Sequence, residues 1–598
     1  MSRLPIYLAN PVPQRFRGFR PRVLFLATGL GLLALFLVWR AFDLQVLQHE
    51  RLSALQDRQS QRILRIGGKR GPILDRTGRR LAVSIAADSL YAHPARVDNP
   101  GVTAYRLSRV LDMPAAELEA LLRSRRPFVW IKRQLLPQEA TRVRALELPG
   151  LAFTQEFRRT YPGRELAAAL LGFTGVDTQG LEGLEYAYDS YLAGEEELRL
   201  LDTDALGRVM LRSRGGPPAA GGSVMLTIHP AIQYFAETEL ARGVAVSEAK
   251  RGVAVVLDAR SAEVLAMAHV PGFNPNNYGA YDKEAYFDRA VTSGYEPGST
   301  FKVLTLAIAL EEGVIKPDTL IFCENGAMEL YDSVIHDTKP HGWLNPAGII
   351  RVSSNICAAK IGTLIPVPVF HDYIRRFGFG GRLGIFETQD GRRLAGEAEG
   401  MVLPAQRWTP VDQAAISFGH GILVSPLQLV TAINAVANGG ELLMPVLVRE
   451  VRAGDGSLVE RHARRSLGRV LSRRTAEQMV GYMEHVVADE TGTGTRAAVP
   501  GYAVAGKTGT TEKYEFQARG YSKTRLIASF VGFVPARDPV LTILVLVEEP
   551  ERGRSGGSVA APVFRRIAER TLPLLGVWPA DAVRHLPARD APPPRGQP

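Results

Sequence analysis

The 598-residue chain contains only two cysteines, Cys323 and Cys357. Two are too few for a disulfide framework or a cysteine-based metal site. Cys357 lies in an apolar stretch, so a pair of buried thiols is expected and not a bridge. Charged residues are held to 22% against 46% hydrophobic, an ordinary globular balance that confines disorder to the chain ends. No nucleic-acid-binding motif accompanies the formal net charge of +11, and an anionic lipid surface or anionic polymer suits that charge without nucleic acid. An internal repeat is also missing. At this length a single hydrophobic core cannot serve the whole chain, and two or more domains are expected.

One apolar run reaches spanning length. Val23 to Trp39 reads VLFLATGLGLLALFLVW, close to the lower limit of about 17 to 25 residues for a membrane helix. Arg15, Arg17, Arg20 and Arg22 precede it. The positive-inside rule then makes residues 1–22 a cytoplasmic tail, 23–40 a transmembrane anchor, and everything after Arg40 extracytoplasmic. RAFDLQVLQHE follows without a small-residue cleavage pair, which favours an uncleaved anchor over a signal peptide.

Beyond the anchor, a polar stretch from Asp43 to Ser60 is expected to be helical, and residues 62–218 read as short strands and helices. GGPPAAGG at 215–222 is the clearest linker. GVAVVLD (252–258) and EVLAMAHV (263–270) flank the turn ARSA as a hairpin requires. A mostly helical stretch is expected from Thr300 to Val487, with a helix end before Gly439-Gly440. Strands are expected again at 502–507, 526–534 and 541–548, then an amphipathic helix at 559–575 and a disordered tail. Strands at both ends of a helical region imply an α+β fold, one sheet assembled from distant segments beside a helical half, with the site in the groove between them.

Ser299-Thr300-Phe301-Lys302 fits Ser-x-x-Lys, as does Ser247 to Lys250. The pattern alone is common, and context separates the two. Ser299 follows Pro297-Gly298 and opens an apolar helix, which places it on the turn with unpaired N–H groups and sets the Lys302 amine beside its hydroxyl. A lysine among apolar neighbours loses its proton readily and acts as a base. Ser353-Ser354-Asn355 precedes another helix and reads equally well as its cap. GYAVAGKT at 501–508 fits the phosphate-loop pattern, but Pro500 precedes it, its middle is strand-like and Gly509 stops a following helix, so a nucleotidase is set aside. A strand-borne Lys507-Thr508-Gly509-Thr510 suits a different task, holding an anionic substrate end beside an oxyanion.

Ser-x-x-Lys, Ser-x-Asn and Lys-Thr-Gly in that order resemble the signature set of penicillin-interacting serine enzymes. The wider sequence resembles a class B penicillin-binding protein: RGPILDRTGRRLA at 70–82, YPGR at 161–164 and GLEGLE at 180–185 are similar to its non-catalytic pedestal. YEPGSTFK, SFGHGILVSPLQL and VAGKTGTTEK are most similar to the septal, FtsI-type members. Two departures are His229 where an aspartate is usual and Ser261-Ala262 in place of Thr-Gly.

The resemblance implies a penicillin-binding, serine β-lactamase-like transpeptidase domain at 223–577, an α/β pedestal of the dimerisation type at 41–222, and a tail at 578–598. It implies a peptidoglycan D,D-transpeptidase in septal wall synthesis and a target of β-lactams. By the same carry-over Ser299 is the nucleophile, Lys302 its base, Ser353 a proton relay and Asn355 a positioning group. Lys507, Thr508, Gly509 and Thr510 bind the substrate carboxylate, and the N–H groups of Ser299 and Thr510 form the oxyanion hole. No metal or organic cofactor is implied. The implied partners are stem peptides, the membrane, an FtsW-type membrane glycosyltransferase and other division proteins, with the catalytic domain periplasmic on a single-pass anchor. An elongation-type role stays open, as does a mainly structural role in activating a membrane glycosyltransferase. A β-lactamase has no use for the pedestal, and a penicillin sensor needs a signalling domain that 22 residues before the anchor cannot hold.

Overall fold

The structure is a computed structural model that describes residues 19–48, 62–203, 209–213, 218–385, 396–515 and 520–579. Most of the expected cytoplasmic tail, the greater part of the polar stretch to Ser60, the start of the glycine-rich linker and nearly all of the C-terminal tail lie outside the described residues. Two compact units are present, residues 1–66 with 197–216, and residues 67–196 with 217–598.

In the first unit Phe19–Phe42 is an α-helix continued by a π-turn over Asp43–Leu47. Val23–Leu47 is long and apolar enough to cross a membrane. The unit also holds a three-stranded antiparallel sheet in which Glu197–Thr203 lies between Arg62–Ile66 and Val209–Ser213.

The second unit is organised on a five-stranded antiparallel sheet in the order Val264–Val270, Arg251–Asp258, Leu541–Glu548, Gly520–Val534, Ala505–Glu515. The expected hairpin is there, Met267 opposite Val255. Its strands are apolar at nearly every position because both faces are covered. Val253, Val255 and Leu257 pack into one core and Ala254 and Val256 into another, as the two-residue alternation of a strand demands. Helices Pro230–Val246 and Gly556–Leu574 cover the second face. The first faces a helical half whose central helices, Lys302–Glu311 and Pro426–Ala437, are buried almost all round. Pro426–Ala437 ends just before Gly439-Gly440, the expected boundary.

A seven-stranded sheet ties the amino-terminal half of this unit to the rest. Leu458–Arg461, Val448–Arg452, Ser223–Leu226, Ile73–Leu74, Arg80–Ala92 and Val129–Lys132 follow one another, and Leu151–Thr160 pairs with Arg80–Ala92. Beside it the three non-catalytic motifs converge. Buried Arg70 meets Glu185 at 2.5 Å and Asp189 at 2.6 Å, while Arg159 meets the other Glu185 oxygen at 2.6 Å and Tyr161 donates to it at 3.3 Å. Burial by itself would raise the Glu185 carboxyl, but the two guanidiniums outweigh it and hold it below the usual range.

Three expectations are corrected. The stretch 300–487 is not uniformly helical: Ala327–Leu330 with Ser333–His336 forms a hairpin, and Ile321–Phe322 pairs with Trp343–Leu344. The last-edge strand begins at Ala505 and runs to Glu515, so the Lys-Thr-Gly run lies inside it and does not end it. Cys323 and Cys357 are a disulfide, with Cα atoms 5.1 Å apart. Apolar surroundings alone could not distinguish a thiol pair from a bridge, because both are buried and the deciding distance spans 34 positions of chain. At the hairpin turn, Ser261 keeps its role by bonding Asp258 at 2.9 Å, but Ala262 holds φ +58°, a left-handed conformation that a glycine adopts without penalty.

Candidate active site

The nucleophile candidate sits on a tight turn and not on the helix proper. Gly298–Thr300 is a 3-10 turn, and the α-helix starts at Lys302. Gly298 has φ +55°, and a Cβ there would lie 2.1 Å from Thr511 Oγ1. Glycine is therefore required both by backbone angle and by the edge strand pressed against the turn. Across the contact, a Cβ at Gly509 would meet Ser529 Oγ at 2.4 Å and Thr300 Cγ2 at 3.0 Å. The Lys-Thr-Gly glycine thus lets the strand approach Ser299. The Ser299 side chain is half-buried, and its hydroxyl makes no hydrogen bond among the described residues.

Lys302 is completely buried. Its Nζ donates to the Ser353 carbonyl at 2.6 Å and Asn355 Oδ1 at 2.6 Å, and reaches Ser353 Oγ at 3.3 Å. Lys507, also fully buried, contacts the same Ser353 Oγ at 2.8 Å and the Thr508 carbonyl at 2.9 Å. Three segments, separated by 51 and 154 positions of chain, thus meet at one serine hydroxyl. Ser353 reaches this place in a left-handed conformation, φ +66°, that ends the helix Pro346–Val352. Ser354 then caps the next helix, accepting from Cys357 N at 3.1 Å. The expected capping is real but belongs to Ser354, which frees Ser353 to face the lysines.

Burial pushes the Lys302 ammonium down to about 7, with Asp337 acting in the opposite direction. Lys507 is pushed well below its usual range by burial and then by repulsion from Lys302. Two amines sharing one hydroxyl in a water-poor pocket repel when both are protonated, so the pair releases a proton far more readily than a free lysine. Nearby His420 is lowered to about 4 by burial and then by Lys302, so it is neutral at physiological pH. Glu296 is raised by burial, and its Oε1 accepts from Gly421 N at 2.8 Å and the Tyr521 hydroxyl at 3.0 Å.

On the edge strand Thr508 Oγ1 pairs with Thr493 Oγ1 at 2.8 Å, and Thr510, exposed, accepts from Gly556 N at 3.1 Å. All eight predicted residues therefore lie on the three chain segments that meet here. The second Ser-x-x-Lys is elsewhere: Ser247 bonds back to Gly243 at the end of its helix and Lys250 is exposed. The phosphate-loop rival fails as well, because Lys507 and Thr508 lie within a strand and no helix follows.

Asp337 was not legible in the sequence. It accepts from Asn355 N at 2.5 Å, Ile356 N at 3.1 Å and the Ser354 hydroxyl at 2.5 Å, neutralising the N-terminus of the helix that carries Asn355. The Asn355 amide is oriented further by donating to the His336 carbonyl at 2.8 Å. Thr493 escaped notice for the same reason: each acts through a tertiary contact, with no local motif. Among the described residues no group of three or more His, Cys, Asp or Glu is placed to hold a metal ion.

Comparison with known proteins agrees with this geometry. Residues 252–569 match the penicillin binding protein transpeptidase domain, and residues 65–226 the penicillin-binding protein dimerisation domain. The chain is 33% identical over 563 residues to the peptidoglycan D,D-transpeptidase FtsI of Escherichia coli, covering 93% of this chain and 92% of that one. It is 34% identical over 565 residues to the probable peptidoglycan D,D-transpeptidase PenA of Neisseria gonorrhoeae, covering 93% of each. The crystal structure of penicillin binding protein 3 from Mycobacterium tuberculosis in complex with aztreonam is similar at a TM-score of 0.67 and 26% identity, covering 86% of this chain and 98% of that one. The chain belongs to the class B penicillin-binding proteins, the D,D-transpeptidases that pair a transpeptidase domain with a dimerisation domain.

Proposed function

We propose that this protein cross-links peptidoglycan stem peptides through an acyl-enzyme on Ser299. The observation that carries the proposal is the meeting of Lys302 and Lys507 at the Ser353 hydroxyl beside the Ser299 turn. In the first step the Ser299 oxygen attacks the carbonyl between the two terminal D-alanines of a donor peptide. Its proton passes to the neutral Lys302 amine, and negative charge on the carbonyl oxygen is met by the N–H groups of Ser299 and Thr510. The amide C–N bond then breaks. The leaving D-alanine amine takes up the proton, relayed from Lys302 through Ser353.

In the second step an acceptor amine attacks the ester. It gives a proton to Lys302, which returns it to Ser299 as the C–O bond opens. Asn355 holds Lys302 in place through the whole cycle. Lys507, Thr508 and Thr510 grip the donor's terminal carboxylate, and Gly509 allows the strand its close approach. A β-lactam, which presents a similar carboxylate and carbonyl, acylates the same serine.

The apolar helix is assigned as a single-pass anchor with residues 1–22 cytoplasmic and the transpeptidase region, 223–577, outside the membrane on the pedestal of 41–222. The FtsI-like and PenA-like sequence supports a septal role alongside an FtsW-type glycosyltransferase and other division proteins. The test is covalent labelling of the purified protein with a fluorescent penicillin, followed by intact mass. Stable addition of one penicillin, absent in Ser299→Ala, is expected. No adduct on the folded wild-type protein refutes the acyl-enzyme, and rapid release of the adduct refutes the transpeptidase assignment in favour of a lactamase.

A further inference from the structure

Near the buried Arg70–Glu185–Arg159 cluster lies a separate cavity of about 320 Å³. Four cationic side chains, Lys132, Arg133, Arg158 and Arg159, line it against a single carboxylate, Glu139. Three of the cations are matched. Lys132 meets Glu139 at 2.7 Å, Arg133 meets Glu156 at 2.7 Å and Asp177 at 2.5 Å, and Arg159 meets Glu185 at 2.6 Å. Arg158 makes no ion pair within 4 Å among the described residues; Glu139, already paired with Lys132, is the carboxylate its charge acts on, and its guanidinium makes one long bond, to the Gln134 carbonyl at 3.4 Å.

Arg159 adds a second, independent sign. Its side chain is only 3% exposed. Nε and Nη1 are satisfied by Glu185, the Gly71 carbonyl and Ser84 Oγ, but Nη2 is buried without a hydrogen-bond partner. A buried guanidinium donor left unmet is a costly feature for a fold to keep, unless something supplies the acceptor. Here the unmet donor belongs to a cavity-lining residue.

The cavity also has a fixed far wall. Asn276 lines it, and the Asn276 side chain clasps the Tyr161 backbone, accepting from its N–H and donating to its carbonyl, each at 2.9 Å. The strand Leu151–Thr160 is thereby held against the segment Pro275–Ala280, which leads on towards the Ser299 turn.

We propose that this cavity binds a phosphate group, gripped by the Arg158 guanidinium with Arg159 and Lys132 adding charge. Phosphate suits it because the lining is rich in cations, and a multiply charged anion can accept from Arg158 while drawing on the charge of its neighbours. Two sources carry that chemistry, a phospholipid headgroup and a soluble phosphate or diphosphate. The site is distinct from the Ser299 groove and does not depend on the acylation mechanism.

The test is calorimetric titration of the full chain in an uncharged detergent with two probes, inorganic pyrophosphate and dihexanoyl phosphatidylglycerol below its micellar concentration. Saturable one-site binding is expected for at least one probe. It should weaken at least about tenfold in Arg158→Gln, disappear in Arg158→Glu, and be unchanged in the exposed control Arg125→Gln. The tighter probe identifies the source. Melting without ligand verifies each fold, and if Arg158→Glu does not fold, the milder Arg158→Gln decides. No saturable binding by the wild-type protein overturns the proposal, as does binding that Arg158→Gln leaves undiminished.

Discussion

The pH dependence of acylation follows directly from the burial of Lys302. A base works only in its neutral form, and burial brings the Lys302 ammonium down to about 7. About one-tenth of it is neutral at pH 6 and about nine-tenths at pH 8, so the second-order rate constant should rise about tenfold over that interval and level off. An ordinary lysine, near 10.5, would instead give a rise of about a hundredfold, still climbing beyond pH 9. The direction is fixed: a depressed pKa makes more base available at lower pH, and activity is lost as the pH falls through it. Because Lys302 and Lys507 share Ser353 Oγ, the observed midpoint belongs to the pair. Stopped-flow acylation by a fluorescent penicillin between pH 5.5 and 9.5 measures it. A flat profile refutes Lys302 as the base, and a hundredfold unsaturated rise refutes the depressed pKa.

Asp337→Ala removes the acceptor for two helix N–H groups and the Ser354 hydroxyl. It should cost about 1–3 kcal/mol of stability, slow acylation, and move the pH midpoint downward, since this carboxylate raises Lys302. An unchanged rate or an upward midpoint, read from melting and the same pH series, contradicts the positioning role. Replacing both Cys323 and Cys357 by serine removes a link across 34 positions and should destabilise the fold by about 3–4 kcal/mol in denaturant titration on chain-entropy grounds. Two alkylatable thiols in the unreduced wild-type protein would show that the bridge is absent.

Much of the site was readable because its residues come in short runs whose chemistry is local. Pro297-Gly298-Ser299 announces a turn before a helix, and Ala-Gly-Lys-Thr-Gly announces a strand with a bare position. What local reading could not supply was the hold on the catalytic amine. Ser299 and Lys302 are three apart, and a regular helix would set the hydroxyl beside the amine. Ser299 stands on the 3-10 turn Gly298–Thr300 that leads into that helix, and the amine is held by the Ser353 carbonyl and Asn355. Local pattern likewise sets the expected strand end at Lys507, short of where pairing ends it. The pairing of Thr508 with Phe530 and Thr510 with Ala528 carries the strand on to Glu515.

The amino-acid order alone determined the apolar anchor-length helix, the hairpin at 251–270, the helix stop before Gly439-Gly440 and the identity of the three motifs. Each depends on periodicity or on residues adjacent in the chain, where backbone preference and amphipathic pattern dominate. Tertiary structure alone decided the Asp337 cap, the Cys323–Cys357 bridge, the convergence of Arg70, Arg159 and Glu185, and the two lysines on one hydroxyl. Those features depend on distances of a few ångströms between segments separated by tens to hundreds of residues, and on the desolvation that packing imposes on charge. A linear pattern carries neither quantity.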